Sequence, residues 1–497
     1  MKLNFKRISV WLGAACLLVS TLRTSAFALL GPVQPWMQAT NGVLRPDDIG
    51  GPMDLNCEYR WNVPVVTYGF DQSFLDYFGT NGVAAVESAI KILNDLPPSS
   101  SLVLTNYSFS SRQYNSSPQT KTLFDLKSAT LTRLLEQLGL ASPMRNIYVI
   151  HSWDPILSSS GNLLSVWYFD PYQTATEIFD YIARLNFDPL TLAPTPHVNG
   201  VLYGAGVHTY MGANTISIGS VDPFVSSYNA AADDFLSAGH FFTNLSYDDA
   251  GGLRYLLAAT NLNYETLLPD VHGVEGNGFV NGAWRPGVEK ITFVRQPAAP
   301  SPGTFQPLTN AFTDTFVLND NTLQQPLERV TTRPDFLFTA GNDFARTGTT
   351  NWINNAALNF NPTGAGPGVI QPPVVITFQK LGSYFYSGGP EELAEDVSTC
   401  FGSFDGSTNE PIVYPGPRTG NLPMTIRVVL FHHHGWDVFQ TIEWSPTSQF
   451  GTVYAFQTSS NLAAWTTLLL LTNNGSVNYV QNNHADSPSQ FYRLLPQ

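Results

Sequence analysis

Apolar residues recur every three or four positions in four stretches of the chain, the spacing that turns one stripe of a helix towards a core. From about Gly82 to Leu96 the stripe is Val83, Val86, Ile90 and Leu93, and Pro97-Pro98 ends it. Leu126 to Leu140 carries Leu131, Leu134, Leu135 and Leu138, with Asp125 placed to accept the first unpaired amides and Gly139 to close the last turn. Two more helical patterns cover Thr174 to Leu185 and Asp248 to Ala258. Short β-type runs stand beside them at Val65–Phe70 and Ile147–Ile150, residues 198–220 lean the same way, and the polar stretch 98–122 predicts a loop.

After about residue 270 the period changes. Lys290–Val294, Phe312–Val317 and Val374–Phe378 alternate with Pro, Gly and Asn turns, and helical patterns nearly vanish. From Met424 the runs Thr425–Leu430, Val453–Gln457 and Gln490–Leu494 predict a small separate β-module, and Pro297–Pro302 a linker or surface loop. The pattern therefore predicts an α+β N-terminal domain over 61–268, a β-rich region over 269–423 and a C-terminal β-sandwich over 424–497. Residues 29–60 keep no period and predict an extended lead-in segment.

The first 28 residues have the form of a secretory signal. Lys2, Lys6 and Arg7 precede the apolar run Ile8–Leu22, and Ala26-Phe27-Ala28 offers a small-x-small cleavage site, so the mature chain is expected to begin near Leu29 outside the cytoplasm. The run is shorter than the ~20 residues a bilayer crossing takes, and no longer one follows, so no transmembrane anchor is expected in the mature chain. Charge sharpens this picture. Only 12% of residues are charged against a usual share of about 25%. Losing four of the 24 basic residues with the signal, and none of the 38 acidic ones, leaves 20 against 38, a net charge of −18. So few basic groups argue against nucleic acid as a partner.

The two cysteines beyond the signal, Cys57 and Cys400, either bridge across more than 300 residues in an oxidising exterior or stay as buried thiols. No His-Glu-x-x-His, Gly-x-Ser-x-Gly or phosphate-binding Gly-x-x-x-x-Gly-Lys motif occurs, so the chain leans away from catalysis. The densest histidine cluster is His432-His433-His434. On a strand His432 and His434 share a face, and with Asp437 they could hold a divalent metal; the plainer reading is a polar strand end facing water. The pairs Asp47-Asp48, Asp233-Asp234 and Asp248-Asp249 could serve calcium, but they lack the alternating spacing of an EF-hand loop, and Asp248-Asp249 sits where helix capping is expected.

Two stretches together resemble the secreted metzincin proteases of the matrixin type, over about residues 60–260. Val65–Leu96 is similar to the first strand and helix of that catalytic domain, and Leu245–Leu256 to its closing helix. The counterpart of the zinc helix is Thr132–Ser142. On that alignment Thr132, Glu136 and Ser142 stand where the three zinc histidines belong, and Arg133 replaces the glutamate base. The resemblance thus implies a protease-like scaffold without the protease. Residues 456–467 and the closing Phe491-Tyr492-Arg493-Leu494 resemble a β-module appended to many secreted bacterial proteins, which implies tethering, with a cell surface or carbohydrate as the natural partner. The competing expectation is a metal-dependent hydrolase built on His432, His434 and Asp437.

Overall fold

The computed structural model describes residues 25–33, 37, 49–150, 166–167, 182–183, 185–210, 215–221, 229–233, 236–301, 303–341, 346–347, 351–354, 368–380, 400–414, 426–430, 438–442, 453–461, 463–472, 478–482 and 491–496. Among them are an α+β body followed by strands alone. In chain order the elements that position the site are β1 (Phe27–Gly31), β2 (Gly51–Met53), β3 (Val65–Phe70), α1 (Gln72–Asn94), α2 (Leu126–Gln137), β4 (Leu140–Ala141), β5 (Asn186–Phe187), α3 (Tyr247–Leu257), β6 (Thr292–Arg295), β7 (Phe336–Gly341), β8 (Arg346–Thr347) and β9 (Val374–Gln379).

The central sheet runs β6-β3-β7-β9-β8. The first four strands are mutually parallel and β8 is antiparallel at the edge. Parallel strands covered by helices read as apolar runs, and Val66, Phe70, Phe336, Phe338, Val374, Ile376 and Phe378 are all buried. Helix α1 follows β3 directly: Asp71 accepts from the Phe74 amide at 2.9 Å, the N-cap bond that opens the helix. Gly79, at φ +61°, kinks it into two segments: the second carries the expected buried stripe Val83, Val86, Ile90 and Leu93, and the first, ahead of it, buries Phe74 and Phe78. Phe74 and Phe78 lie 4.7 Å apart by ring centroid and reach Phe338, Phe378 and Phe401 from the sheet side. Helix α2 packs along α1.

Two expectations are corrected by strand pairing. The boundary placed at 268/269 does not divide the body, because β3 from the first half lies between β6 and β7 from the second. Cys400–Ser403 likewise pairs in parallel with Leu123–Asp125. A one-dimensional reading splits the chain where the period changes, and parallel partners distant in sequence leave no local signal. The second correction concerns the N-terminus. β1 lies at the middle of its own sheet, pairing with β5 through Phe27 and Ala28, with β4 through Ala28 and Leu29, and with β2 through Leu29, Leu30 and Gly31. Every residue from Ser25 to Leu30 is buried. The cleavage site expected at Ala28 falls within this strand. Of the expected lead-in segment 29–60, the described residues Leu29–Gly31, Gly51–Met53 and Tyr59–Arg60 lie in strands of the body.

Within the helical pattern expected at 174–185, Ile182–Ala183 forms a strand with Val149–Ile150, and most of that segment lies outside the described residues. The β-rich stretch contributes a long hairpin, Leu308–Leu318 with Asn321–Thr331, closed by Asn319 and Asp320 at φ 50° and 61°, the paired positive angles of a type I′ turn. Among the described residues beyond 424, 438–442 lies between 426–430 and 478–482 in one antiparallel sheet, and 453–459 between 466–472 and 491–496 in another. Phe456 there is core, while Trp465 carries Arg493 over its ring at 4.1 Å.

Candidate functional site

The site begins with how α2 starts and stops. Asp125 takes the Ser128 amide at 2.9 Å and its hydroxyl at 2.5 Å, fixing the first turn. Burial pushes the Asp125 carboxyl up to about 6 despite those bonds. At the other end Gly139 adopts φ +108°, where a side chain would also strike the Tyr59 carbonyl oxygen, so glycine alone allows the chain to turn into β4. This turn brings Ser142 back beside the helix. Thr132, Arg133 and Glu136 of α2 then meet Ser142, Arg145 and Asn146 around a small pocket open to solvent. Leu30, Gly50 and Pro52 from the β1–β2 layer, Leu140, Ala141 and Ala232 complete it.

The four positions that the metzincin resemblance singles out are therefore brought together, and their chemistry is not that of a zinc centre. Arg133 Nη1 lies 2.9 Å from Glu136 Oε2, so the single carboxylate among them is neutralised by a guanidinium. Thr132 and Ser142 supply neutral hydroxyls. Zinc sites take thiolate, imidazole or carboxylate ligands, and a fixed cation beside the one anionic group repels a dication; the residues present do not fit the metal. Among the described residues no group of three His, Cys, Asp or Glu could hold a metal ion. His432, His434 and Asp437 lie outside the described residues. Cys57 is a free, half-buried thiol; burial first, then Glu58 and Asp54, raises its pKa and favours the protonated form, and the side chain of Cys400 lies outside those described.

Three buried carboxyl groups hold the pocket walls. Asp233 Oδ1 accepts from Ser142 Oγ at 2.9 Å and the Met144 amide at 3.2 Å. Asp249 forms the capping box of α3 with Ser246 and also takes the Ala231 and Ala232 amides at 2.8 and 2.9 Å. Asp248 accepts from the Ser25 hydroxyl and the Asn199 amide. The expected capping role thus belongs to Asp249, and Asp248 instead fastens the start of β1. The sequence alignment pointed to Thr132, Arg133, Glu136 and Ser142; Arg145, Asn146 and Asp233 come from loops whose spacing carries no signal.

Asp233 makes the body pH-sensitive. Desolvation, with Asp249 adding to it, pushes its carboxyl up to about 7, against 3.8 ordinarily. The folded state therefore holds this proton more tightly than the unfolded chain does. The resulting stability is complete below about pH 4 and is lost as pH rises through about 7. Asp233→Asn keeps an oxygen for Ser142 and Met144 and removes the ionisation. Its melting temperature is expected to exceed that of the native chain at pH 8 and to match it at pH 5; an equal difference at both pH values would show that Asp233 does not titrate in this range.

No protein-family model, curated protein or solved structure matches the chain closely enough to place it in a family. The pocket's own chemistry therefore has to carry the functional reading.

Proposed function

We propose that the chain is a secreted binding or attachment protein that performs no hydrolysis, a protease-like scaffold whose metal positions have been given over to hydrogen bonding. The observation that carries this reading is the Arg133–Glu136 ion pair, flanked by Thr132 and Ser142, in an open pocket at the end of α2. The leader-like N-terminus and the strand-rich C-terminal module support export and tethering, with a cell surface or carbohydrate as partner. Among the described residues no helix is long and apolar enough to cross a membrane.

The purified secreted chain should co-sediment with bacterial envelope fragments or with an insoluble polysaccharide such as chitin or cellulose, and should leave labelled casein intact with or without added zinc. Retention on none of these surfaces counts against attachment. Zinc-dependent casein cleavage, with stoichiometric zinc lost in the His432→Ala plus His434→Ala variant, would replace this reading with a metal-dependent hydrolase.

A further inference from the structure

The sheet around the long hairpin has a second face that the core does not use. Its strands run in the order 263–266, 282–285, 308–318, 321–331 and 271–273. Side chains alternate across such a sheet. Glu265, Arg285, Asp314, Phe316 and Arg329 are buried on one side, and Tyr264, Trp284, Val317 and Thr322 point to the other. These last four form a row across four strands, with Tyr264 opposite Trp284, Trp284 opposite Val317 and Val317 opposite Thr322. At about 4.8 Å per strand the row is about 14 Å long. Trp284 is 44% exposed, and its ring meets that of Tyr264 edge to face at 5.8 Å between centroids. Thr315 and Gln324, opposite one another, form the next row. Of the outward side chains on these five strands, only His272 and Glu328 can carry charge near neutral pH. They lie opposite each other on the two strands furthest from Tyr264.

A solvated sheet face ordinarily carries polar side chains; the first row of this one holds an indole, a phenol and a valine. The face of an indole ring is electron-rich and attracts polarised C–H bonds, while threonine hydroxyls and glutamine amides both donate and accept. Nucleic acid and anionic lipid surfaces require clustered Lys or Arg, which neither row contains. The complement of an uncharged, linear row with aromatic rings at one end and hydroxyls beside it is an uncharged, extended sugar chain. The C–H faces of its rings lie on Trp284 and Tyr264, and its hydroxyls meet Thr315, Thr322 and Gln324. We propose that this sheet face docks a neutral, extended polysaccharide of the cellulose or chitin type. The proposal rests on the attachment reading above and gives it a surface, on the hairpin sheet and outside the C-terminal module.

Pull-down of the full chain on microcrystalline cellulose and on chitin, over a range of protein loads, measures the affinity. At least one of them should retain the chain saturably, and equally at about 0.05 and 0.5 M NaCl, because salt screens only charged contacts. Trp284→Ala should weaken retention about tenfold or more, the loss of a central aromatic contact. Trp284→Phe keeps an aromatic face and should recover most of that loss. Thr315→Val should cost roughly threefold, the share of one neutral hydrogen bond. It keeps the shape and β-branching of the side chain, so a weaker affinity is not a loss of fold. Trp465→Ala, in the C-terminal module, should change nothing. The proposal is overturned if Trp284→Ala and Thr315→Val keep full affinity, if Trp465→Ala alone abolishes retention, or if retention disappears at the higher salt. It is also overturned if envelope fragments hold the chain and neither polysaccharide does, which would mark a protein or another envelope component as the partner. Each of these outcomes leaves the attachment reading standing; retention on no surface, or zinc-dependent proteolysis, would remove that reading and this proposal with it.

Discussion

A chain shortened to begin at Leu29, the cleavage site that the sequence pattern predicts, is expected to lose its cooperative fold. The deleted residues include Phe27, 2% exposed, whose ring stacks on Tyr255 at 5.5 Å and meets Phe187 at 6.2 Å. Truncating a buried phenylalanine alone costs ~3–5 kcal/mol. The Phe27–Phe187 and Ala28–Asn186 ladder contacts disappear with it, and Ala28 no longer pairs with Ala141. Asp248, fully buried, loses its hydrogen bonds from the Ser25 hydroxyl and the Ala26 amide. Each buried group left unsatisfied adds ~1–3 kcal/mol. Together these losses approach the ~5–15 kcal/mol that separates most folded domains from unfolding. A chain beginning at Ser25 or earlier should melt in one transition, while the Leu29 chain should aggregate or show none. Sequencing the N-terminus of the protein purified from its native source gives a second readout, with the first residue expected at or before Ser25. A native chain that begins at Leu29 and melts normally would refute the assignment of β1 to the core.

The same strand shows what could be read without coordinates. Phe27-Ala28 follows a basic, apolar stretch, so composition assigns these two residues to a leader, and only the partners of this strand in β2, β4 and β5 identify it as core. The helices were legible because their evidence is local: the leucine stripe of α2, Asp125 at its start and Gly139 at its end are all within one segment. β3 and β9 were legible as strands for the same reason, but their membership of one parallel sheet was not. The pocket was half legible. Thr132, Arg133, Glu136 and Ser142 lie on a recognisable spacing, whereas Asp233 reaches Ser142 across 91 residues.

Charge content reads differently once the interior is known. The few ionisable groups look like a thin coat on an exported protein, yet three arginines are spent inside. Arg60 pairs with Glu265 at 2.6 Å, Arg285 with Asp314 at 3.0 Å, and Arg329 with Asp335 at 2.5 Å, all with side chains 5% exposed or less. Arg60 and Arg285 also donate to one another's neighbourhood through the Arg285 and Glu265 carbonyl oxygens, so the two pairs form one network. These pairs tie the hairpin and the strands around residues 263–285 to the body that carries the pocket.

Arg329→Met should be among the most destabilising single changes in the molecule. Arg329 reaches both Asp335 oxygens, Nη1 to Oδ2 at 2.9 Å and Nη2 to Oδ1 at 2.5 Å, and donates to Asp270 at 2.9 Å. Asp335 in turn accepts the Thr67 amide at 2.7 Å and its hydroxyl at 3.1 Å, and so joins the hairpin to β3, an inner strand of the central sheet. Removing the guanidinium leaves a carboxylate with negligible exposure and no counter-charge, a loss of ~3–5 kcal/mol in comparable buried pairs. The half-exposed pair Arg295–Glu87, at 2.9 Å, has similar geometry but remains in contact with water, and its loss should cost ~1 kcal/mol or less. Urea denaturation of the two variants side by side measures the contrast. If the midpoint for Arg329→Met moves no further than that for Arg295→Met, the buried pair is not what fastens the hairpin to the sheet. The double variant Arg329→Met with Asp335→Leu distinguishes the two sources of loss. Recovery of part of the stability would assign the single-variant cost to the stranded carboxylate, whereas no recovery would assign it to the Thr67 bonds that Asp335 also makes.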